Sequence, residues 1–234
     1  MVERFVHIED VGGSNPSSPT IGAPPIVLPH DLYVLRHGET EWNAAERMQG
    51  WLDSPLTPRG RAQAEAQGRI LRRLGLLPGT RALTSSSGRC RETAAIALAG
   101  LALAPEPDDR LREVCLGAWQ GLTLRDIRQR WPEFDNGGFY WRFDAPGGET
   151  LAAMRERLRA VLAEVRGSTL IVTHGIASKL LRGLALGLDD AETAALPGGQ
   201  GMIHQVGPGG HATHSEPELA ETGAIELRAT GPGD

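Results

Sequence analysis

Cys90 and Cys115 are the only cysteines in the sequence. Two are too few for a disulfide framework, and neither falls in a metal-type spacing, so a reducing compartment is expected. Basic charge is not in excess either. The net charge is -5, which leaves no global positive field to recruit nucleic acid. No apolar run approaches the ~18 residues that a membrane span requires. The N-terminus lacks the apolar core of a secretory signal, so the expected location is cytoplasmic, with no membrane partner. No internal repeat is visible. Aromatic residues make up only 5% of the chain, and their distribution is uneven.

What is present fits one globular domain. The chain has 234 residues, 40% hydrophobic and 23% charged, enough for a sizeable core but not for several domains. Residues 1–30 read as a disordered or mis-called extension. The run Gly12-Gly13-Ser14-Asn15-Pro16-Ser17-Ser18-Pro19 and the later Pro24-Pro25 cannot bury a face. The folded part is expected over residues 31–230. Leu32-Tyr33-Val34-Leu35, Ala82-Leu83-Thr84 and Thr169-Leu170-Ile171-Val172-Thr173 are short β-prone runs that read as buried strands. Thr57-Pro58 and Gly75 bracket a helix with a capping residue, a first-turn proline and a glycine stop. Further helices are expected over Arg89–Ala99, Glu149–Val165 and Ile176–Leu186, with weaker strands over Gly201–Val206 and Ile225–Arg228. Strands alternating with helices imply a three-layer α/β/α architecture with a mostly parallel central sheet.

Three of these strands end directly in polar groups: Arg36-His37-Gly38, Ser85-Ser86-Ser87-Gly88-Arg89 and Thr173-His174-Gly175. Ligands of open parallel sheets bind outside the carboxyl ends of strands, so two arginines and two histidines can meet in one crevice. That set suits a phosphoryl dianion. Guanidinium groups fork onto its equatorial oxygens, and a neutral imidazole can attack phosphorus in line. A nucleophilic histidine must be neutral and held in one tautomer, so its second nitrogen needs an acceptor, for which a nearby backbone carbonyl serves. Neighbouring arginines disfavour its protonation.

These residues also carry a resemblance. Leu35-Arg36-His37-Gly38-Glu39-Thr40-Glu41-Trp42-Asn43 resembles the signature of the histidine phosphatase superfamily, which includes the cofactor-dependent phosphoglycerate mutases. Thr84–Ala94 is similar to its second-arginine motif and Leu111–Gly121 to its acid–base segment. Pro146-Gly147-Gly148-Glu149-Thr150 and Val172-Thr173-His174-Gly175 match two more, in the expected order. The resemblance covers about Leu32 to Leu186 and implies a phosphoglycerate mutase-like fold. It further implies that His37 is the nucleophile, that Arg36 and Arg89 bind phosphate, and that His174 stabilises transition-state charge. Glu113 would protonate the leaving oxygen and then activate water, for which an apolar neighbour such as Trp119 would favour its protonated form. Asn43, Gln49, Gly50 and Gly175 would line the pocket, although Asn43 and Gln49 also suit turn capping. No metal site and no cofactor are implied. His211 and His214 read as solvent-facing residues of a glycine-rich tail.

Seven aromatic residues crowd between Glu113 and Glu149: Trp119, Trp131, Phe134, Phe139, Tyr140, Trp141 and Phe143. Residues 120–147 therefore read either as a packed subdomain or as an aromatic cap over the crevice. Mutases of the family carry a paired-arginine segment in this stretch and an asparagine after the second His-Gly. This chain has neither, and Ile176 stands at the latter position. Hydrolysis of a small-molecule phosphate ester is the expected activity, with a mutase-type phosphotransfer as the alternative. A non-catalytic phospholigand binder is a third reading, disfavoured because the five catalytic side chains are all present. Nothing in the ends of the chain specifies an oligomeric interface.

Overall fold

Side chains along the central strands alternate between two faces, and each face finds a different pair of helices. The computed structural model describes residues 28–76 and 78–216. In chain order it forms β1 (Leu32–Arg36), α1 (Glu41–Ala44), α2 (Pro58–Leu74), β2 (Arg81–Ser85), α3 (Gly88–Ala97) and β3 (Glu106–Asp108). Then come α4 (Leu124–Arg130), α5 (Leu151–Ala163), β4 (Thr169–Thr173), α6 (Gly175–Leu186), α7 (Asp190–Ala195), β5 (Ile203–Gly207) and β6 (Gly210–His214). The sheet order is β3-β2-β4-β1-β5-β6. β1, β2, β3 and β4 run parallel, whereas β5 is antiparallel to β1, and β6 to β5.

Tyr33, Leu35, Leu170 and Val172 pack on Ile70 and Leu71 of α2 and Ala94 and Ala97 of α3. Leu32, Val34 and Ile171 face the other way, onto Met154, Leu158 and Leu162 of α5 and Leu180 and Leu181 of α6. The odd–even split is the period-2 geometry of a strand, and it makes the three-layer arrangement expected from the sequence. All five residues of β4 are buried, as a strand covered on both faces must be.

The helix ends follow local chemistry. The Thr57 side chain accepts the Gly60 N–H at 3.0 Å, Pro58 opens α2, and Gly75 closes it at φ 62°. Only glycine takes that left-handed conformation without cost. A second glycine pair serves closeness. A Cβ on Gly38 would collide with the Gly60 main chain, and one on Gly60 with that of Glu39, so the loop after β1 lies directly on the start of α2.

Several expectations are corrected. The fold begins before Asp31, because Leu28 is already buried in the larger core cluster; residues 1–27 lie outside the described residues. His211 and His214 belong to β6 rather than to a solvated tail. The edge strand β3 and the short helix α7 were not anticipated. Polar sequence forms both β3 and β6 because edge strands need no second apolar face. The strand expected over Ile225–Arg228 lies outside the described residues. Of the seven aromatic residues between Glu113 and Glu149, Trp119 and Trp141 are buried in the core cluster, so the packing reading holds for those two rings. Among the described residues no helix is long and apolar enough to cross a membrane.

Candidate active site

The ends of β1 and β4 are tied together: the His37 N–H donates to the Thr173 carbonyl at 2.9 Å. His37 and His174 consequently meet edge to face, their ring centroids 5.2 Å apart. Both are buried, His37 with 3% and His174 with none of its surface exposed. His37 Nδ1 lies 2.7 Å from the Gly38 carbonyl. A carbonyl oxygen can only accept, so Nδ1 carries the proton and the lone pair is on Nε2. The Gly38 N–H in turn donates to Thr93 Oγ1 at 3.0 Å, and that hydroxyl donates to the Arg89 carbonyl at 2.7 Å. Burial, and then the Arg89 and Arg36 guanidinium groups, hold the His37 imidazole well below its ordinary pKa. His174 is lowered in the same way, by burial first and then by Arg89, His37 and Arg36.

The two arginines reach this centre differently. Arg36 Nε is buried with no hydrogen-bond partner, and burial lowers the pKa of its guanidinium. Gly175, the first residue of α6, makes room for it: a Cβ there would lie 3.4 Å from Arg36 Cζ. Arg89 is 2% exposed and is largely committed to the protein. Its Nη1 donates to the Leu52 carbonyl at 2.8 Å and to Asp53 Oδ1 at 3.0 Å, and its Nη2 donates to the Gly50 carbonyl at 2.9 Å. Of the five N–H groups a guanidinium owns, Nε and one on Nη2 are left, and Nε is buried without a partner. Buried donors of this kind are costly unless an acceptor arrives. Two arginine Nε groups without partners beside two histidines of lowered pKa are chemically suited to a multivalent oxyanion.

Glu113 is present at the site, held otherwise than expected. Its carboxylate accepts the Ile176 and Ala177 N–H groups at the start of α6, both at 3.1 Å, and its own following amide at 3.1 Å. The Trp119 ring packs against Trp131, Phe134 and Trp141. Asn43 serves as a cap. Its side-chain oxygen accepts the Thr40 N–H at 3.2 Å in the capping box of α1 and a hydrogen bond from Gln200 Nε2 at 3.3 Å. Gln49 donates to Thr40 Oγ1 at 2.8 Å, while its Oε1 is buried and has no partner. Gly50 contributes its carbonyl to Arg89 and sits at φ 54°.

Several functional contacts escape sequence reasoning. Ser85 Oγ lies 2.8 Å and Ser87 Oγ 3.2 Å from His174 Nε2, which fixes the ring; a run of serines carries no signal for this. Cys90 Sγ stands 3.5 Å from the same nitrogen, and burial pushes its thiol up to about 12, so it is no thiolate nucleophile. Arg142, from the aromatic stretch, rests over the Trp141 ring at 4.3 Å. Burial brings its guanidinium down to about 10, with the Glu113 carboxylate acting in its favour and Arg36 against it. A third cation therefore borders the site. Among the described residues no three His, Cys, Asp or Glu side chains gather closely enough to hold a metal ion.

Comparison with known proteins agrees with this geometry. The model of the histidine phosphatase superfamily (branch 1) matches residues 32–224. A probable phosphoglycerate mutase GpmB of Klebsiella pneumoniae (strain 342) is 39% identical over 166 residues, 67% of this chain and 75% of that protein. Among solved structures, Bacillus stearothermophilus YhfR superposes with a TM-score of 0.66 at 33% identity, covering 80% of this chain and 96% of its own. The mycobacterial glucosyl-3-phosphoglycerate phosphatase Rv2419c, in complex with VO3, gives a TM-score of 0.63 at 31% identity, over 75% of this chain and 90% of its own.

Proposed function

The chain belongs to branch 1 of the histidine phosphatase superfamily, and from that premise we propose that it is a phosphomonoester hydrolase working through a phosphohistidine at His37, without a metal. The observation that carries this reading is the 2.7 Å contact of His37 Nδ1 with the Gly38 carbonyl, which presents Nε2 as the free nucleophile in a buried site bordered by Arg36 and Arg89.

In the first step His37 Nε2 attacks phosphorus, and the bond from phosphorus to the ester oxygen breaks. Arg36 and Arg89 neutralise charge on the equatorial oxygens, and the neutral His174 ring offers them a hydrogen bond. Glu113 gives its proton to the departing oxygen. In the second step water attacks the phosphohistidine, Glu113 takes the proton from that water, and orthophosphate leaves with neutral His37 restored. The Ile176 and Ala177 N–H groups hold the Glu113 carboxyl in place at the start of α6.

A small phosphorylated metabolite is the proposed substrate class. Hydrolysis is preferred to transfer because the stretch 120–147 lacks the paired arginines of the mutases, and because Ile176 follows the second His-Gly. The second reading, a mutase, is favoured by the name carried by the Klebsiella relative. One assay separates them. Free phosphate released from p-nitrophenyl phosphate in the presence of a chelator supports the hydrolase. Interconversion of phosphoglycerates in the presence of a bisphosphate primer supports the mutase. Silence in both, with phosphate binding retained, makes the protein a non-catalytic binder.

A further inference from the structure

The segment that carries Glu113 has no regular structure of its own. Residues 112–116 run between two short 3-10 turns, Asp109–Leu111 and Gly117–Trp119. Irregular backbone inside a fold needs partners for its carbonyls, and three of them here come from one side chain. Arg157, on α5, donates from Nη1 to the Arg110 carbonyl at 2.6 Å and to the Arg112 carbonyl at 2.7 Å. Its Nη2 donates to the Glu113 carbonyl at 3.2 Å. The remaining N–H groups fork onto Glu149, Nε to Oε1 at 2.6 Å and Nη2 to Oε2 at 2.8 Å. All the donors of the guanidinium are thereby used.

Glu149 completes the clamp. Its Oε2 accepts the Cys115 N–H at 3.4 Å, and its own N–H donates to the Cys115 carbonyl at 2.9 Å. The pair is shielded, with 16% of the Arg157 side chain and 11% of the Glu149 side chain exposed. A forked contact of this kind is directional and little screened by salt. The Trp51 indole adds a second hydrogen bond to the Glu113 carbonyl, from Nε1 at 2.9 Å. With its backbone held in this way, Glu113 extends its carboxylate to the Ile176 and Ala177 N–H groups.

We propose that Arg157 and Glu149 are positioning residues, which set Glu113 for proton transfer by fixing the backbone of residues 110–115. The proposal rests on Glu113 being the acid and base of the hydrolase reading. Misplacing a reacting group by about 1 Å costs on the order of 100-fold in rate, so the catalytic carboxylate depends on how firmly its irregular segment is held. Lysine cannot replace the arginine. An ammonium is a point charge, unable to fork onto a carboxylate and reach three carbonyls at once.

Leaving-group dependence tests the proposal, because dinitrophenolate departs without a proton and an alkoxide does not. Arg157→Lys should lower kcat/KM about tenfold or more for an alkyl phosphate and less than about threefold for dinitrophenyl phosphate. Glu149→Gln, the milder variant, should follow the same pattern. In a Glu113→Gln background, Arg157→Lys should cost little more, since groups acting as one unit are not additive. Amide hydrogen exchange supplies a reading that needs no turnover. The Ile176 and Ala177 N–H groups should exchange about tenfold or more faster in Arg157→Lys, with β1 and β4 unchanged. Wild-type silence toward every ester would sink the hydrolase reading, and the exchange rates would still decide on the clamp. Equal losses for the two esters, additive losses in the double variant, or unchanged exchange at Ile176 and Ala177 would each overturn the proposal.

Discussion

His204 offers a quantitative test of the packing around β5 and β6. It is 1% exposed, its Nδ1 lies 3.0 Å from Thr213 Oγ1, and its ring stacks on His211 with centroids 5.8 Å apart. Burial pulls its pKa from 6.5 down to about 3, helped by Arg182, His211, Lys179 and His214, all of which disfavour a further positive charge. Arg182 is itself wholly buried and donates to the Ser178 carbonyl at 3.2 Å, the Pro197 carbonyl at 2.7 Å and His211 Nε2 at 3.2 Å. With the folded pKa depressed, the unfolded chain binds the proton first. Stability is therefore full above about pH 6.5 and is lost as pH falls toward about 3. One such site is worth about 1.4 kcal/mol per pH unit inside that window. From about pH 7 to about pH 5 it removes on the order of 2 kcal/mol, against a total of roughly 5–15 kcal/mol for a domain. His204→Asn keeps a polar atom facing Thr213 and cannot titrate. Urea unfolding followed by tryptophan fluorescence at a series of pH values gives both slopes. Between about pH 6 and about pH 4.5 the wild type should lose about 1.4 kcal/mol per pH unit more than the variant, the carboxylates and other histidines being common to both. Parallel slopes would show that His204 carries its proton in the fold and refute the reasoning.

Three other outcomes follow from the site. Gly60→Ala drives a methyl group into the Glu39 main chain; denaturant unfolding should show a loss of about 1–3 kcal/mol or more, with turnover falling because the loop of His37 shifts. Glu113→Gln keeps the side-chain shape but supplies no transferable proton, so kcat should fall about 100-fold or more with KM little changed; unchanged turnover would remove Glu113 from the mechanism. Arg142→Gln should lower kcat/KM for anionic esters by about tenfold or more without changing the unfolding midpoint, and a variant with wild-type kinetics would place Arg142 outside the substrate's reach.

The fold was legible where one short segment carries its own signal. Leu32–Leu35 and Thr169–Thr173 are apolar runs bounded by polar residues, and both became central strands. Thr57, Pro58 and Gly75 announced α2 through capping chemistry alone. β3, with Glu106-Pro107-Asp108, and β6, from Gly210 to His214, carry no such pattern, because edge strands are held by one neighbour and need little apolar surface. The meeting of His37, His174, Arg36 and Arg89 was legible because each follows a strand end. The supports were not. Arg89 grips the Gly50–Asp53 loop 36 to 39 positions away in sequence, and the amides that hold Glu113 come from a helix 63 and 64 residues later. Such contacts exist only once the chain has folded. The packing of Trp119 on Trp131, Phe134 and Trp141 was hidden for a related reason, since their spacing in sequence does not show which rings meet.

The central claim concerns a bond between nitrogen and phosphorus. Rapid-quench mixing of the protein with a radiolabelled phosphate ester, followed by alkaline digestion and peptide mapping, reads that bond directly, because a phosphorylated imidazole survives alkali and hydrolyses in acid. The account predicts transient, acid-labile label on the peptide containing His37 and none in His37→Ala, which should also lack turnover. Label on another side chain, or full turnover by His37→Ala, would contradict it.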